Sequence, residues 1–360
     1  MGRIILLMDL DSFFASAEEV RRPEIRGKPV VVCVYSGRTA DSGAVSTSNY
    51  KARELGIKSG MPIAFAKKFA RGHEVVFLPV DKDYYSEVSD RVMSILSPEA
   101  DAMEQVSVDE AYLDVTKRTN GNWDNAAEIA QRIKKRVEEQ EKITCSIGVG
   151  PNKFIAKMAA GISKPDGLTV VKEDDVKDFL KNIPAAKLHG VGPKTTEALS
   201  EVGVETTEQL AAYELTQLKK IFGESRARYL HEISHGIDDS PVEEKESTQL
   251  SRMGTLPEDT RDAEIIYLKI LELSADLAGR VKEMKIGFRT VSIIAVDTDL
   301  QMHSKSETIQ VTGDLLAALP TARKLLETFL KDNPGIVLRR VGIRASNFTE
   351  DGGQKTLGEF

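Results

Sequence analysis

The sequence predicts an α+β protein of several domains, and three features of the chain support this class. Strands and helices alternate over residues 80–166, which together with an N-terminal strand favours an antiparallel or mixed sheet backed by helices. Apolar repeats separated by short Gly- and Pro-containing turns predict helices throughout residues 174–235. Residues 248–348 then follow the order strand, helix, two strands, helix, strand, which is a split β-α-β arrangement.

Length and composition are consistent with this organisation. The 360 residues, 41% of them hydrophobic, are enough for roughly two to four domains with sizeable cores. No apolar run reaches about 18 residues, and Asp9 interrupts the first one, so we expect a cytoplasmic protein with no membrane partner. Cys33 and Cys145 lie in apolar strand-like runs and are predicted to be buried thiols. The net charge of −7 argues only weakly against a nucleic-acid partner, because the placement of basic residues decides binding.

Changes in pattern along the chain predict the domain boundaries. The N-terminal strand ends at Asp9 and leads into a helix at Phe13, and a β-branched run at 29–34 precedes a Gly/Ser-rich segment and a short helix at 49–55. A polar, Pro-containing stretch after the helical region predicts a linker. The predicted division is residues 1–10 with 80–166, 11–79, 167–235, a linker at 236–247, 248–348, and a tail at 349–360.

The apolar periodicity also predicts individual elements within these domains. The predicted elements are a helix over 84–96, strands on either side of Asp109 and Glu110, a helix over 125–140, and a strand over 143–149. In the last domain they are strands over 248–255, 289–297, 304–311 and 336–348, and helices over 262–284 and 314–331. The sheet around the acidic residues is expected to hold Asp9 and Glu110 at one edge.

Carboxylates follow or interrupt apolar strands at two distant places. Asp9 ends an apolar run, and the adjacent Asp109 and Glu110 lie at a tight turn between two apolar runs. Carboxylates at the ends of buried strands are costly unless they are paired or bound to metal. Mg²⁺ prefers hard oxygen ligands and shares substrate phosphates, so three protein carboxylates suffice for a two-metal site. A set of solvated surface acids is the alternative, and the apolar context favours the metal site over it.

Four motifs are spaced along the chain, with the sequences M-D-L-D-S-F-F-A at 8–15, S-G-R at 36–38 with N-Y-K-A-R at 49–53, S-V-D-E-A-Y-L-D at 107–114, and S-K-P-D-G at 163–167. In this order they resemble the motifs of Y-family DNA polymerases, in particular the archaeal DinB-type branch, over essentially the whole length. The resemblance implies a right-hand polymerase with a ferredoxin-like palm, small fingers, a helical thumb and a little-finger domain. Such an enzyme adds deoxynucleotides to a primer 3′-hydroxyl, bypasses damaged template bases with low fidelity and has no proofreading exonuclease.

The resemblance also assigns the metal ligands. Asp9, Asp109 and Glu110 correspond to the carboxylate ligands of two Mg²⁺ ions, with the backbone carbonyl of Leu10 as a further ligand and Mn²⁺ as an alternative metal. The metals would activate the primer hydroxyl for in-line attack on the α-phosphate of a deoxynucleoside triphosphate. Most of the catalysis would then be positioning and charge neutralisation.

Residues near the first two motifs resemble the family's nucleotide contacts. Arg and Lys suit this role because they donate charge-assisted hydrogen bonds to phosphate oxygens. The expected triphosphate contacts are Thr47, Tyr50, Arg53 and Lys164. Without the motif context, Arg53 would more simply belong to the polar face of a short helix.

Two adjacent rings, Phe13 and Phe14, lie where the family contacts the sugar. Phe14 matches the steric gate, whose ring leaves no room for a 2′-hydroxyl and no partner to satisfy it, and Phe13 is expected to be a core residue. Small residues, Gly43, Ala44 and Ser46, fall where the fingers cover the new base pair. By resemblance, such a cover would admit distorted or damaged bases.

Two regions are predicted to bind primer-template DNA. Gly190, Gly192 and Lys194 belong to a segment that resembles a helix-hairpin-helix, in which backbone amides and a helix N-terminus bind phosphate without reading sequence. The C-terminal domain carries 15 Lys and Arg against 14 Asp and Glu between residues 245 and 348, which is less basic than in archaeal relatives. We nevertheless expect its arginines to gather on one sheet face, because residues 340 and 344 share strand parity, and the group is Arg289, Arg339, Arg340 and Arg344.

The C-terminal tail resembles a peptide that binds a sliding clamp. Gln354, Leu357 and the terminal Phe360 give the expected order of glutamine, aliphatic and aromatic residue, although a second aromatic is absent. A frayed terminus that begins at residue 351 is the alternative. The predicted partners are therefore primer-template DNA, deoxynucleoside triphosphates and a sliding clamp, bound by a monomer.

Other functions account for only parts of the pattern. A non-catalytic polymerase-like scaffold would bind DNA or the clamp, but the intact Asp9, Asp109 and Glu110 argue against it. A nucleotidyl cyclase shares a ferredoxin-like palm but does not explain the hairpin or the tail. Residues 231–235 match the H-E-x-x-H zinc motif, which we interpret as a chance match because a linker follows directly and no third ligand is evident.

Overall fold

The computed structural model describes residues 2–244 and 247–349. The chain divides into two compact units, the first with residues 1–34, 44–61 and 65–245, and the second with residues 35–43, 62–64 and 246–360. Helices and strands are mixed in the chain, which confirms the predicted α+β class. No helix in the described ranges is long and apolar enough to cross a membrane.

Strands and helices alternate in the first half of the chain. In chain order they are β1 (Ile5–Leu10), α1 (Phe13–Arg21), β2 (Val30–Tyr35), β3 (Gly43–Ser48), α2 (Tyr50–Glu54), α3 (Ile63–Phe69), β4 (Val76–Pro79), α4 (Lys82–Leu96), β5 (Ala102–Gln105), β6 (Glu110–Asp114), α5 (Trp123–Glu141), β7 (Cys145–Gly150), α6 (Lys153–Ile162) and β8 (Leu168–Val170). The sequence prediction does not contain α3, α6, β4 or β8, and it assigned β3 to the Gly/Ser-rich segment.

A five-stranded sheet with the order β5-β6-β1-β7-β8 forms the centre of the first unit. β1 is antiparallel to both β6 and β7, whereas β7 and β8 are parallel, so the sheet is mixed as predicted. β1 therefore lies in the middle of the sheet, where every residue from Ile5 to Leu10 is buried. This two-sided burial explains why the strand reads as a continuous apolar run instead of an alternating one.

The two faces of the sheet have different cores. Leu6 and Met8 point into the main core with apolar residues of α1, α4 and α5. Ile5 and Leu7 point to the opposite face, where they pack with Ala156 of α6. Because successive strand residues alternate between faces, Asp9 belongs to the α6 face of the sheet.

Glycines allow α6 to approach the sheet closely. A Cβ atom added to Gly148 would lie 2.1 Å from the backbone oxygen of Ala156, and one added to Gly150 would lie 2.8 Å from its backbone nitrogen. Side chains at either glycine would therefore push α6 away from the sheet. The close packing brings the polar residues of α6 next to the end of β1.

A smaller sheet with the order β3-β2-β4 contains the strands between residues 30 and 79. β2 and β4 are parallel, with Val30 opposite Val76. Asn49 directly precedes helix α2, and its side-chain Oδ1 accepts hydrogen bonds from the backbone N–H groups of Val30 and Ala52, both at 3.0 Å. Asn49 thus caps α2 and ties it to β2.

The predicted helical region contains α7 (Val176–Lys181), α8 (Pro193–Glu201), α9 (Thr207–Ala212), α10 (Leu215–Phe222) and α11 (Glu224–Ser234). Their apolar residues share a core with Phe154, Ile155 and Met158 on the outer face of α6. α6 therefore packs on the sheet with one face and on the helical domain with another.

The chain after α11 runs along the first unit. The guanidinium of Arg3 donates to the carbonyl oxygens of Asp238 at 2.6 Å and Ser240 at 2.8 Å. The Nδ2 of Asn152 donates to the Gly236 carbonyl at 2.7 Å, and the Nζ of Lys153 lies 3.2 Å from that of Pro241. The first half of the predicted linker is therefore held by hydrogen bonds.

The second unit contains β9 (Gln249–Thr260), α12 (Ala263–Glu283), β10 (Gly287–Asp297), β11 (Met302–Thr312), α13 (Leu319–Asp332) and β12 (Leu338–Thr349). This is the predicted order of elements. The four strands form an antiparallel sheet with the order β11-β10-β12-β9. Val291, Ile293 and Ala295 of β10 point to the helices α12 and α13, which cover one face of this sheet.

Candidate active site

Three carboxylates from two distant segments meet at the end of β1. Asp9 and Glu110 are direct cross-strand partners, and the N–H of Leu10 donates to the carbonyl oxygen of Asp109 at 2.9 Å. Asp9 is only 8% exposed, whereas Asp109 and Glu110 are half-buried. The hydroxyl of Ser107 donates to Asp109 Oδ1 at 2.6 Å and orients that carboxylate on its turn.

Two lysines neutralise this acidic group. The Nζ of Lys164, on the loop after α6, forms an ion pair with Asp9 Oδ1. The Nζ of Lys157, on α6, forms one with Glu110 Oε1 and lies 3.7 Å from Asp9 Oδ2. The sequence reasoning missed Lys157. Its signal was the repeat of lysines at 153 and 157, one helical turn apart on a helix that the prediction did not contain.

The pKa of Asp9 shows how strongly the carboxylates depend on cations. Burial raises this pKa to about 6, and a hydrogen bond shared with Glu110 contributes, while Lys164 lowers it. Two carboxylates within hydrogen-bond distance cannot both ionise cheaply unless a positive charge lies between them. The lysines supply that charge in this structure.

The donor set fits divalent cations. As the side chains stand, the described ranges contain no group of three or more His, Cys, Asp or Glu side chains arranged around a common metal position. The lysines hold carboxylate oxygens of Asp9 and Glu110. The oxygens themselves are the hard ligands that Mg²⁺ prefers, and they lie on the same sheet end. The lysine ammonium groups take the place that a cation would fill.

The neighbouring rings Phe13 and Phe14 have different environments. Phe13 is 2% exposed within the main core, so its ring has almost no surface left for a ligand. Phe14 is half-buried and stacks on Tyr85, with ring centroids 4.3 Å apart and an interplanar angle of 13°. Tyr85 is itself fixed, because its hydroxyl donates to the buried Glu18 at 2.9 Å. No pattern in the sequence marks Tyr85 as the support of Phe14, since the two residues are far apart in the chain.

The helix α2 carries two of the predicted triphosphate contacts, Tyr50 and Arg53. Arg53 is exposed, its guanidinium carbon lies 4.7 Å from the ring centroid of Tyr50, and its Nε donates to the carbonyl of Ser48 at 2.9 Å. Burial first, and the nearby Asp11 second, raise the pKa of Tyr50 to about 12, so its hydroxyl remains a donor. Thr47, at the end of β3, is half-buried.

The predicted hairpin precedes α8. Gly190 has a φ of +83° and Gly192 is the residue before the helix, with Pro193 at its first position. Gly190, Gly192 and Lys194 are all exposed. A side chain at Gly190 would also meet the hydroxyl of Tyr229, which donates to the carbonyl of His189 at 2.9 Å. The hairpin thus offers a helix N-terminus and backbone groups to solvent.

The C-terminal sheet leaves one face without covering helices, and we call it the open face. Register places Arg340 and Arg344 on it, opposite Val296 and Ser292. Among the described strand residues that regular pairing places on this face, the others carry no carboxylate, and they are Gln249, Ser251, Met253, Thr255, Thr290, Ile294, Met302, Ser304, Ser306, Thr308, Gly342 and Ser346. The Nε of Arg344 is buried and has no hydrogen-bond partner within the described part of the chain.

The other two predicted arginines differ from this arrangement. The register of β12 shifts between Leu338 and Arg340, so strand parity does not assign Arg339 to a face, and it lies 3.6 Å from Asp259 in an ion pair. Arg289 is exposed where the register of β10 shifts between Phe288 and Thr290. The predicted tail residues Gln354, Leu357 and Phe360 lie outside the described residues.

Family models match most of the chain. Residues 8–161 match the impB/mucB/samB family, and residues 247–357 match the C-terminal domain of the same family. Residues 186–238 match a thumb-domain model described as DNA polymerase-iota, thumb domain.

Relatives match over the full length. The chain is 43% identical to DNA polymerase IV 1 of Methanosarcina mazei, with 100% of both chains covered, and 40% identical to DNA polymerase IV of Nitrosopumilus maritimus, with 99% of both covered. Among solved structures, a Y-family DNA polymerase chimera, Dbh-Dpo4(243-245)-Dbh, has a TM-score of 0.90 at 37% identity, covering 96% of this chain and 98% of its own. An insertion ternary complex of Dbh DNA polymerase has a TM-score of 0.71 at the same identity and coverage. The chain belongs to the impB/mucB/samB family and is a Y-family, DNA-directed DNA polymerase of the lesion-bypass type.

Proposed function

We propose that Asp9, Asp109 and Glu110 hold two Mg²⁺ ions with which this polymerase transfers nucleotides to a primer. The direct pairing of Asp9 with Glu110, with Asp109 on the adjoining turn, is the observation that carries the proposal. When bound, the ions lower the pKa of the attacking hydroxyl and neutralise charge on the leaving pyrophosphate. The carbonyl of Leu10 is a further ligand in this proposal, and Mn²⁺ is the alternative ion.

The incoming deoxynucleoside triphosphate is proposed to lie between α2 and the loop that carries Lys164. The Nζ of Lys164 lies at the carboxylate of Asp9, so a phosphate beside that carboxylate falls within its reach. Arg53 is exposed on α2 and can donate to phosphate oxygens in a forked geometry. The hydroxyls of Tyr50 and Thr47 complete the proposed set of donors.

Phe14 is proposed to exclude ribonucleotides. Its ring is held by the stack on Tyr85, so it has little freedom to move away from an added 2′-hydroxyl. A rigid apolar wall rejects a hydroxyl because it leaves that group without a hydrogen-bond partner. Phe13 would contribute only backbone to the nucleotide site, because its ring lies in the core.

Primer-template DNA is proposed to bind at the hairpin and at the open face. The exposed Gly190, Gly192 and Lys194 at the start of α8 suit a phosphate, and Arg340 and Arg344 suit a second strand of phosphates. The relative named as an insertion ternary complex supports DNA and nucleotide as partners of this chain. The small residues Gly43, Ala44 and Ser46 of β3 are consistent with a roomy cover for damaged bases.

Binding of a sliding clamp through Gln354, Leu357 and Phe360 is proposed from the sequence of the tail alone. In this proposal a single chain binds the clamp. Removal of residues 354–360 is expected to leave distributive synthesis unchanged and to abolish the increase in product length that a clamp causes. Equal product lengths for both chains in the presence of clamp would argue against the assignment.

Primer extension on undamaged and abasic templates, with and without Mg²⁺, tests the proposed chemistry. The wild-type chain is expected to extend both primers only with a divalent cation, and Asp109→Ala is expected to abolish extension while retaining DNA binding. Asp114→Asn is the matched control, because Asp114 lies at the far end of β6 and its Oδ1 accepts from the N–H of Thr116 at 2.9 Å. Undiminished extension by Asp109→Ala would refute the assignment.

A further inference from the structure

Asp11 is a buried carboxylate two residues beyond the end-of-strand ligand Asp9. It is 2% exposed, and four donors surround it. Its Oδ1 accepts from the hydroxyl of Ser146 at 2.8 Å and of Tyr50 at 3.5 Å. Its Oδ2 accepts from the hydroxyl of Thr144 at 2.9 Å and the backbone N–H of Asp166 at 2.8 Å. Both oxygens are therefore engaged by protein groups and are not left free for a metal.

These donors come from three separate parts of the first unit. Ser146 belongs to β7 and Thr144 directly precedes it, so they anchor Asp11 to the rigid central sheet. Asp166 lies on the loop after α6, two residues from Lys164. Tyr50 is the first residue of α2. One carboxylate thus joins the sheet to both segments that carry proposed triphosphate contacts.

Further hydrogen bonds fix the geometry around Asp11. The N–H of Gly167 donates to the Ser146 hydroxyl at 3.3 Å, which makes a second connection from β7 to the lysine loop. The next residue, Ser12, has a left-handed conformation with φ 44° and ψ 43°. The hydroxyl of Ser16 donates to the Asp11 carbonyl at 2.6 Å and supports this turn. A non-glycine residue holds such a conformation only when its surroundings determine it.

We propose that Asp11 is a positioning residue for nucleotide binding, which holds the Lys164 loop and Tyr50 against the central sheet so that both contact the triphosphate of the incoming nucleotide. This inference rests on the proposed role of those two residues. Without Asp11, the loop loses its hydrogen bond from Asp166 and the tyrosine hydroxyl loses its acceptor. The metal-binding carboxylates keep their own strand pairing, so the chemical step is affected less than nucleotide binding.

Single-turnover primer extension measures the nucleotide Kd and the maximal rate separately. Asp11→Ala is expected to raise the Kd of the correct nucleotide about tenfold or more, since several charge-assisted hydrogen bonds are lost, with a smaller change in the maximal rate. The matched control is Asp101→Ala, which removes a carboxylate outside the proposed site that accepts from the N–H of Lys117 at 2.8 Å and of Arg118 at 3.2 Å and forms an ion pair with the Arg118 side chain. This control is expected to leave the nucleotide Kd unchanged.

A double-mutant cycle distinguishes positioning from general loss of structure. If Asp11 acts through Lys164, the effect of Asp11→Ala on nucleotide Kd shrinks to about threefold or less when Lys164 is already Met, because coupled residues are not additive. The same cycle with Asp11→Asn, which preserves volume, serves if the alanine variant does not fold. Additive effects on nucleotide Kd in the cycle, or an unchanged nucleotide Kd in both Asp11 variants, would overturn the inference.

The proposed triphosphate contact of Lys164 and the positioning role of Asp11 are tested by different results. If Lys164→Met alone leaves the nucleotide Kd unchanged, the proposed triphosphate contact fails. If that variant weakens nucleotide binding as expected but shows no coupling to Asp11, only the positioning role fails.

Discussion

Asp9 in the first unit is 8% exposed and neutralised by lysines, whereas Arg340 of the C-terminal sheet is exposed on a face without carboxylates. Both regions bring side chains of like charge together, but the free-energy cost of keeping them charged differs. The carboxylate of Asp9 is buried before any metal ion binds, and its raised pKa reflects that burial. Arg340 is exposed, so its charge costs little to keep, and its interactions stay weak until phosphates approach.

The net charge of the C-terminal domain does not predict whether it has a basic surface. The C-terminal domain is almost neutral, yet strand alternation separates its charges between two faces. Arg252 pairs with Asp276 at 2.5 Å and Lys324 with Glu307 at 2.9 Å on the helix-covered side. The open face carries Arg340 and Arg344 without carboxylates. A domain with no net charge therefore still has a basic face.

The largest expected effect separates chemistry from binding. Glu110→Gln should lower the maximal rate of nucleotide addition at least about a thousandfold, equal to about 4 kcal/mol of barrier, because a ligand of the proposed metals loses its charge. Its primer-template Kd should stay within about threefold of wild type in a filter-binding or anisotropy assay. If Glu110→Gln lowered DNA affinity as strongly as it lowers the rate, the metal site could not be distinguished from the DNA-binding surface.

The pH dependence of the metal-free protein tests the cost of burying Asp9. Its folded pKa of about 6 exceeds the ordinary value of 3.8, so the stabilising contribution is complete below about pH 4 and is lost as pH rises through 6. With EDTA present, the wild type should lose on the order of 2 to 3 kcal/mol of unfolding free energy from this group between pH 4 and 7. The measurement is the difference from Asp9→Asn in denaturant titrations, and parallel pH profiles would contradict it.

The next prediction concerns Phe14, the proposed steric gate, and tests the shape of the nucleotide site instead of its charge. Phe14→Ala should reduce discrimination against ribonucleotides by about a hundredfold, because the added hydroxyl no longer meets an apolar wall. The ratio of kcat/KM for a deoxynucleotide and its ribonucleotide measures this without depending on the active fraction. Phe13→Leu is the companion variant, expected to cost stability and leave the ratio unchanged. Continued exclusion of ribonucleotides by Phe14→Ala would refute the gate.

The smallest effect is expected at the open face. Replacing Arg340 and Arg344 together with Ala should weaken primer-template binding about tenfold at moderate salt and reduce the slope of log affinity against log salt by about 2, as phosphate contacts are lost. Lys324→Ala, on the helix-covered side, is the matched control and should leave the slope unchanged. An unaltered slope in the arginine variant would remove the open face from the DNA-binding surface.

The sequence predicted the fold best where periodicity was strong. The order of the C-terminal elements and the pairing of the strands around Asp109 followed from apolar alternation and turns. The helix α6 and Lys157 were missed, and the close approach of α6 to the sheet depends on glycines of β7, a contact between separate elements that the sequence does not show. Strand parity does not assign Arg339 to a face, because the register of β12 shifts at that residue, and spacing alone does not reveal such a shift.

Contacts between residues far apart in the chain could not be predicted from the sequence either. Asp11 meets Thr144, Ser146 and Asp166 more than 130 residues further along the chain, and no local pattern marks it as different from a solvated aspartate. The same is true of Tyr85 behind Phe14. Motif resemblance identified the proposed site residues, whereas the structure identified the residues that hold them.

The proposed two-metal site is tested by anomalous scattering from crystals grown with Mn²⁺, a primer-template ending in a dideoxynucleotide and the next correct nucleotide. We expect two peaks about 3.5 to 4 Å apart, within bonding distance of carboxylate oxygens of Asp9, Asp109 and Glu110. A fully bound nucleotide with peaks away from these three side chains, or with only one ion at them, would contradict it.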